Sequence, residues 1–164
     1  MNSNSILIFD LDDTLYQRWG VVNDDFSGME ALQPYPGAYD FLRKTTCKKM
    51  LVTKGNPAIQ VKKIELLGIK EFFEEILICS TDDEKKKAFK QLKEKHPDSE
   101  FWVIGDRIDS EIRFGNELGM TTVLLRKGKY AELMPKEQVE VPTFEIKEFS
   151  ELNEVLCKEC RPSF

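Results

Sequence analysis

The chain has 164 residues, of which 41% are hydrophobic and 32% are charged, and its formal net charge at pH 7 is −5. A chain of this length and composition can bury one full core, so we predict a single domain spanning residues 1–164. The acidic balance disfavours a nucleic-acid partner, no apolar run approaches the ~20 residues that span a membrane, and residues 1–5 lack the features of a secretory signal, so we expect a cytoplasmic protein.

The first predicted element is a strand over residues 6–9, and acidic residues follow it directly. Four consecutive apolar residues are typical of a central parallel strand that is buried on both faces. Asp10 and Asp12 would then lie at the sheet edge where open α/β folds bind ligands, with both side chains pointing the same way. Because two converging carboxylates repel each other unless a hard cation lies between them, the pair suggests Mg²⁺ rather than a ligand-free Asp-rich turn.

Residues 16–36 show no sustained periodicity, so we predict a short loop or a single helical turn that lies over the crevice. A helix over residues 38–45 follows this lid loop. We expect the aromatic and apolar residues of the lid loop to be exposed: Tyr16, Trp19, Val21, Val22 and Phe26. Trp19 either contacts the substrate or packs back on its own domain.

A second short strand, over residues 50–53, ends at Thr53 and leads into a helix over residues 57–67. Gly55 permits a tight turn there, and Asn56 can cap the helix. The hydroxyl of Thr53 and the unpaired N–H groups at the helix start would form an anion site. We therefore predict substrate binding by four consecutive residues: Thr53, Lys54, Gly55 and Asn56. We expect three side chains of this helix to face solvent: Lys62, Lys63 and Glu65.

The remaining chain alternates between strand and helix with short connections. The predicted strands cover residues 76–79, 101–104, 121–125 and 143–146. One predicted helix starts at the capping residues of the run 80–87 and extends to about residue 95, and two others cover 110–118 and 148–156. This alternation is typical of an α/β fold with a doubly wound parallel sheet. Acidic residues again follow a strand, at Asp106, Asp109 and Glu111.

The four cysteines are compatible with a reducing compartment. Cys47 and Cys79 stand alone in the sequence, whereas Cys157 and Cys160 form a CxxC without a second pair or a nearby histidine to complete a zinc site. We interpret this pair as reduced thiols of the tail, with a redox pair as the alternative.

Residues 10–14 read Asp-Leu-Asp-Asp-Thr and fit the DxDxT signature of the haloacid dehalogenase-like (HAD) hydrolases, most of which are Mg²⁺-dependent phosphatases. Thr53 matches the second motif of this family, and Asp106 with Asp109 and Glu111 resembles the fourth. The resemblance extends over nearly the whole chain, in order. It implies the HAD core, which is a three-layer Rossmann-like sheet.

The resemblance also implies a role for each acid. Asp10 would be the nucleophile that forms an aspartyl phosphate, and Asp12 would first protonate the leaving alcohol and then deprotonate the attacking water. Asp10, the backbone carbonyl of Asp12 and Asp106 would hold Mg²⁺, which neutralises the phosphoryl oxygens.

Two motif positions are ambiguous in this sequence. The third motif of the family is a lysine, and three lysines occur where one is expected: Lys85, Lys86 and Lys87. We select Lys85 because it lies nearest the helix N-terminus and has the expected spacing to the residues that follow. The second acid of the fourth motif is either Asp109 or Glu111, and we favour Asp109 slightly because its carboxylate leaves the loop before the helix is established.

Larger HAD phosphatases carry a cap domain, but residues 16–36 are too few to form one, so we expect no separate cap and an open crevice. A neighbouring subunit of a homo-oligomer or a large substrate would cover it. We predict that the substrate is a small phosphorylated metabolite, either a sugar phosphate or a nucleotide. The alternatives are a phosphatase of proteins or other macromolecules and a catalytically silent HAD scaffold that binds proteins. A response-regulator receiver is disfavoured because Asp10 and Asp12 share one strand.

Overall fold

The computed structural model describes residues 4–23 and 25–158 of the chain. Within them, the strands are β1 (Ser5–Phe9), β2 (Lys48–Lys54), β3 (Glu75–Cys79), β4 (Glu100–Gly105), β5 (Thr121–Leu125) and β6 (Phe144–Ile146). They form one sheet of parallel pairs in the order β3-β2-β1-β4-β5-β6. The predicted doubly wound parallel sheet is confirmed, and β1 lies in its interior.

Helices alternate with these strands along the chain. They are α1 (Ala38–Lys44), α2 (Pro57–Leu67), α3 (Asp82–Lys95), α4 (Arg113–Glu117) and α5 (Leu152–Lys158). A π-helical turn, Ile108–Ile112, precedes α4, so the helix expected over residues 110–118 begins earlier and in a wider turn than predicted. Within the described residues, no helix is both long enough and apolar enough to cross a membrane.

The side chains of β1 alternate between two faces, and both faces are buried. Leu7 and Phe9 pack in one core with side chains from α1, α2 and α5. Ile6 and Ile8 pack in a second core with side chains from α3 and α4. Because helices cover each face of the sheet, the fold has three layers, and residues 6–9 of β1, in the middle layer, are all apolar.

The segment between β1 and α1 contains one short helix among its described residues, the 3₁₀ turn Met29–Ala31. Asp13 shapes its start, since this residue has a positive φ of 57° and its Oδ1 accepts a hydrogen bond of 2.9 Å from the backbone N–H of Trp19. The expected exposure of the lid loop is wrong for Tyr16 and Val22, because both pack into the core beside β1. Trp19 is 52% exposed, as expected for this residue.

Candidate active site

A cavity of about 500 Å³ opens where β1, β2 and β4 end. Ligands of open α/β sheets bind at this edge, because the carboxyl ends of parallel strands meet there. Charged side chains of both signs line the cavity, among them Asp10, Asp12, Lys54, Asp106, Arg107 and Glu111. The structure therefore collects at one site acids and bases that are distributed over a hundred residues of sequence.

Three of these acids form a buried cluster. Asp10, Asp106 and Glu111 each offer a carboxylate oxygen, and these oxygens all lie within 4.8 Å of one another. Gly105 makes this approach possible, since a Cβ atom at that position would lie 2.6 Å from the Cβ of Glu111. All-oxygen ligands at close range are what Mg²⁺ prefers, so the cluster fits a hard divalent cation.

Lys85 is the cation that contacts this cluster. Its Nζ lies 2.6 Å from Asp10 Oδ1 and also donates to Glu111 Oε1, and its side chain is buried. Lys86 instead pairs with Glu117 at the surface, and Lys87 is exposed. Of the three candidate lysines, only Lys85 contacts Asp10.

One lysine does not balance three buried carboxylates. Burial, together with the charges of Glu111 and Asp12, raises the pKa of Asp10 to about 7 even though Lys85 opposes the shift. Burial and the charges of Glu111 and Asp10 likewise raise the pKa of Asp106. Burial opposes the charge of Lys85, but Asp10 and Glu111 outweigh it and raise the pKa of this lysine. The three carboxyl groups therefore ionise together only against a repulsion that Lys85 does not fully offset, and a bound cation would offset it.

The structure does not bring Asp109 into the cluster. Its carboxylate is not among the clustered acids, pairs with Arg107 Nε at 3.1 Å, and is 44% exposed. Glu111 occupies the expected position instead, and its Oε2 accepts a hydrogen bond from the backbone N–H of Arg107 at 3.2 Å. The slight preference for Asp109 is thus corrected to Glu111, because the π-helical turn carries residue 111 back toward Gly105.

Asp12 lies apart from the cluster, in a set of hydrogen-bond donors. Its Oδ1 lies 2.8 Å from Lys63 Nζ and accepts a hydrogen bond from Tyr16 Oη, and its Oδ2 accepts one from Gln60 Nε2 at 3.0 Å. The expectation that Lys63 faces solvent is wrong, because its side chain is only 1% exposed. Its position could have been inferred from the spacing Ile59, Lys63, Leu67, which places it on the inward face of α2.

The predicted anion site is built differently from the expectation. Asn56 caps α2 with its own side chain, which accepts hydrogen bonds from the N–H groups of Ala58 and Ile59, so these two amides are not left for a ligand. Thr53 is buried, and its hydroxyl accepts a hydrogen bond of 2.7 Å from Gln60. Of the four predicted residues, Lys54, Gly55 and Asn56 line the cavity.

The cavity mouth carries basic and aromatic residues that the sequence reading missed. The Nζ of Lys129 lies 5.2 Å from the centre of the Trp19 ring and 5.5 Å from that of Tyr130, and Arg107 stacks over Tyr130 at 4.9 Å. Lys129 and Tyr130 follow β5, so only their position after a strand of the same sheet edge could have indicated them.

Comparisons with known proteins agree with this arrangement. A family model described as HAD-hydrolase-like matches residues 84–152. A glyceraldehyde 3-phosphate phosphatase from Methanopyrus kandleri is 35% identical over 135 residues, which are 76% of this chain and 57% of that protein. The pyrimidine 5'-nucleotidase YjjG from Escherichia coli is 29% identical over 152 residues, which are 85% of this chain and 64% of that protein. The chain thus spans between about half and two thirds of the length of these curated relatives.

The fold is also found in solved structures. The putative HAD-hydrolase YfnB from Bacillus subtilis, solved with bound magnesium, superposes with a TM-score of 0.68 at 19% identity and covers 93% of this chain and 98% of that one. The family match and the curated relatives identify the same superfamily, and the fold agrees with it. The chain therefore belongs to the HAD-like hydrolase superfamily.

Proposed function

We propose that this protein is a Mg²⁺-dependent phosphomonoester hydrolase that acts through an aspartyl phosphate on Asp10. The observation that carries the proposal is the setting of Asp10, a carboxylate that lines an open cavity while Lys85 holds one of its oxygens. Thr14 Oγ1 lies 3.3 Å from the other oxygen, Oδ2, so both oxygens of the nucleophile are oriented. The curated relatives described above, which are named as a glyceraldehyde 3-phosphate phosphatase and a pyrimidine 5'-nucleotidase, support the same reaction class.

The residues of the chain divide the reaction between them. An oxygen of Asp10 attacks phosphorus, the bond to the leaving oxygen breaks, and Asp12 gives that oxygen a proton, so an alcohol departs. Water then attacks the aspartyl phosphate, Asp12 takes its proton, and phosphate leaves with Asp10 restored. Lys85 stabilises charge next to the nucleophile throughout.

Asp10, Asp106 and Glu111 would hold the Mg²⁺, with the backbone carbonyl of Asp12 as a further ligand. When bound, the ion neutralises negative charge on the phosphoryl group that Asp10 approaches. The buried cluster supports this assignment, because its unbalanced carboxylates need a positive partner. Asp109 is left out of the ligand set, since Arg107 occupies its carboxylate.

We further propose a small phosphorylated metabolite as the substrate, with Lys54, Gly55 and Asn56 contacting its phosphate. The basic and aromatic cavity mouth supports an anionic substrate that carries a group beyond the phosphate. A screen of phosphate esters, including sugar phosphates, nucleotides and p-nitrophenyl phosphate, tests the proposal with MgCl₂ and with EDTA. We expect Mg²⁺-dependent phosphate release from several small esters. Turnover of none of them, or turnover unaffected by EDTA, would contradict the proposed function.

A further inference from the structure

Three side chains that lie outside the HAD motifs described above donate hydrogen bonds to Asp12. Lys63 and Gln60 come from α2, and Tyr16 comes from the loop after β1. The Asp12 side chain remains 21% exposed and lines the cavity, so it is anchored from behind while it stays open to a substrate.

The donors are divided unequally between the two oxygens of Asp12. Oδ1 receives two of them, from Lys63 at 2.8 Å and from Tyr16, whereas within the described part of the chain Oδ2 receives one side-chain donor, Gln60, at 3.0 Å. A carboxylate oxygen has two lone pairs, so Oδ1 is saturated and Oδ2 keeps one lone pair. Oδ2 is therefore the oxygen that can hold or accept a proton toward the cavity.

The ion pair with Asp12 explains why Lys63 is buried. An ammonium group in the protein interior is costly unless it has a charged partner, and Asp12 is the partner, with the ring of Tyr16 5.9 Å from the same Nζ. Gln60 in turn bonds both Asp12 and Thr53, so it ties the orientation of Asp12 to the end of β2. The set restrains Asp12 in one conformation.

Building on the proposed phosphatase function, we infer that Lys63, Gln60 and Tyr16 are positioning residues that direct Oδ2 of Asp12 toward the leaving oxygen. In the first half of the reaction, the proton on Oδ2 moves to the leaving oxygen as the bond between phosphorus and that oxygen breaks. Asp12 is then a carboxylate, and the ammonium group of Lys63 stabilises this charge until Asp12 takes a proton from water.

A pair of aryl phosphates of similar shape tests this role. The leaving phenolate of p-nitrophenyl phosphate needs little protonation, whereas that of phenyl phosphate needs much more. The ratio of kcat/KM for p-nitrophenyl phosphate to kcat/KM for phenyl phosphate therefore measures proton donation in the step that forms the aspartyl phosphate. The ratio rises when proton donation is impaired. We expect Lys63→Met to raise this ratio about tenfold, with a smaller rise in Tyr16→Phe, because general-acid catalysis contributes roughly 10²–10⁴-fold and positioning is part of it.

Lys62→Met is the matched control, since Lys62 is exposed on the same helix and loses the same charge. It should leave the ratio unchanged, and Asp12→Asn should raise the ratio most. A merely structural role would lower both kcat/KM values equally, so an unchanged ratio in Lys63→Met and Tyr16→Phe would overturn the inference. Tyr16→Phe removes only a hydroxyl and decides the question if Lys63→Met does not fold. An unchanged ratio in Asp12→Asn would instead refute Asp12 as the acid, which is a failure of the proposed function itself.

Discussion

Asp10 and Asp12 are two residues apart, and each contacts a buried lysine, but their surroundings differ in charge. Asp10 shares Lys85 of α3 with Glu111 and lies beside Asp106. Asp12 contacts Lys63 of α2, which packs on the opposite face of the sheet, and its other partners are neutral donors. When its acids are ionised, the Asp10 side therefore has three carboxylates for one lysine, whereas the Asp12 side has one carboxylate for one lysine.

In the proposed mechanism, this difference gives the two acids different chemistry. A cluster with too few cations attracts a metal ion, and a phosphoryl group can then approach the nucleophile. A carboxylate with a balanced charge and a restrained conformation is suited to moving a proton repeatedly. One strand end thus supplies both functions because helices from the two faces of the sheet provide one lysine each.

The largest effect is expected at Asp10, the proposed nucleophile. Asp10→Asn should lower kcat by ~10³-fold or more while the fold persists, because a near-isosteric amide cannot attack phosphorus. Steady-state assays with p-nitrophenyl phosphate and circular dichroism check both statements. Asp109→Asn, which alters an acid outside the cluster, should stay within about twofold of wild type. Activity of Asp10→Asn within tenfold of wild type would refute the assignment.

The lysine run gives the next largest effect. Lys85→Ala should reduce kcat by roughly 10²–10³-fold, because it removes the buried cation that contacts the nucleophile. Lys87→Ala is the matched control and should have little effect, since an exposed charge is screened by solvent. Equal losses in the two variants would show that Lys85 is not the lysine of the third motif.

Metal binding distinguishes Glu111 from Asp109. Glu111→Gln should weaken the rise in melting temperature that Mg²⁺ produces, and Asp109→Asn should leave this rise unchanged.

Burial raises the pKa of Asp10 from 3.8 to about 7, so the metal-free protein loses stability as the pH rises through this range. Mg²⁺ requires ionised carboxylates, and its stabilising effect should therefore be larger at pH 8 than at pH 6. Thermal unfolding with MgCl₂ or EDTA measures each change, and a reversed pH trend would contradict the charge imbalance.

The smallest effect is expected at the cavity mouth, away from both acids. Trp19→Ala should change KM several-fold and shift the preference among substrates, with a smaller change in kcat, because Trp19 contacts Lys129 and not the cluster. Phe26→Ala, which removes another exposed aromatic side chain of the same loop, is a suitable control. A loss confined to kcat would place Trp19 in the chemical step instead.

Features with local signals could be predicted from the sequence. The apolar run before Asp10 indicated a central strand, and Asn56 caps α2 as its sequence pattern suggested. Lys85 was selected by its spacing, and its side chain does contact Asp10. These inferences depend on residues that are close in sequence, and tertiary structure did not change them.

Features that depend on distant contacts could not be predicted in this way. The spacing of Lys63 with Ile59 and Leu67 points inward, but lysine is rarely buried, and the partner that compensates its charge, Asp12, lies 51 residues away. The choice between Asp109 and Glu111 depended on a π-helical turn, for which the sequence has no clear signal. In both cases an ion pair or a wider turn outweighed the local preference.

The division of roles between Asp10 and Asp12 is tested most directly by trapping the covalent intermediate. Asp12→Asn should still transfer phosphate from p-nitrophenyl phosphate to Asp10 but should hydrolyse the product slowly, because the base that activates water is missing. Acid quenching followed by peptide mass spectrometry should therefore find phosphate on Asp10 in this variant and none in Asp10→Asn. Phosphate on any other residue, or release of p-nitrophenol by Asp12→Asn without a phosphorylated peptide, would contradict the account.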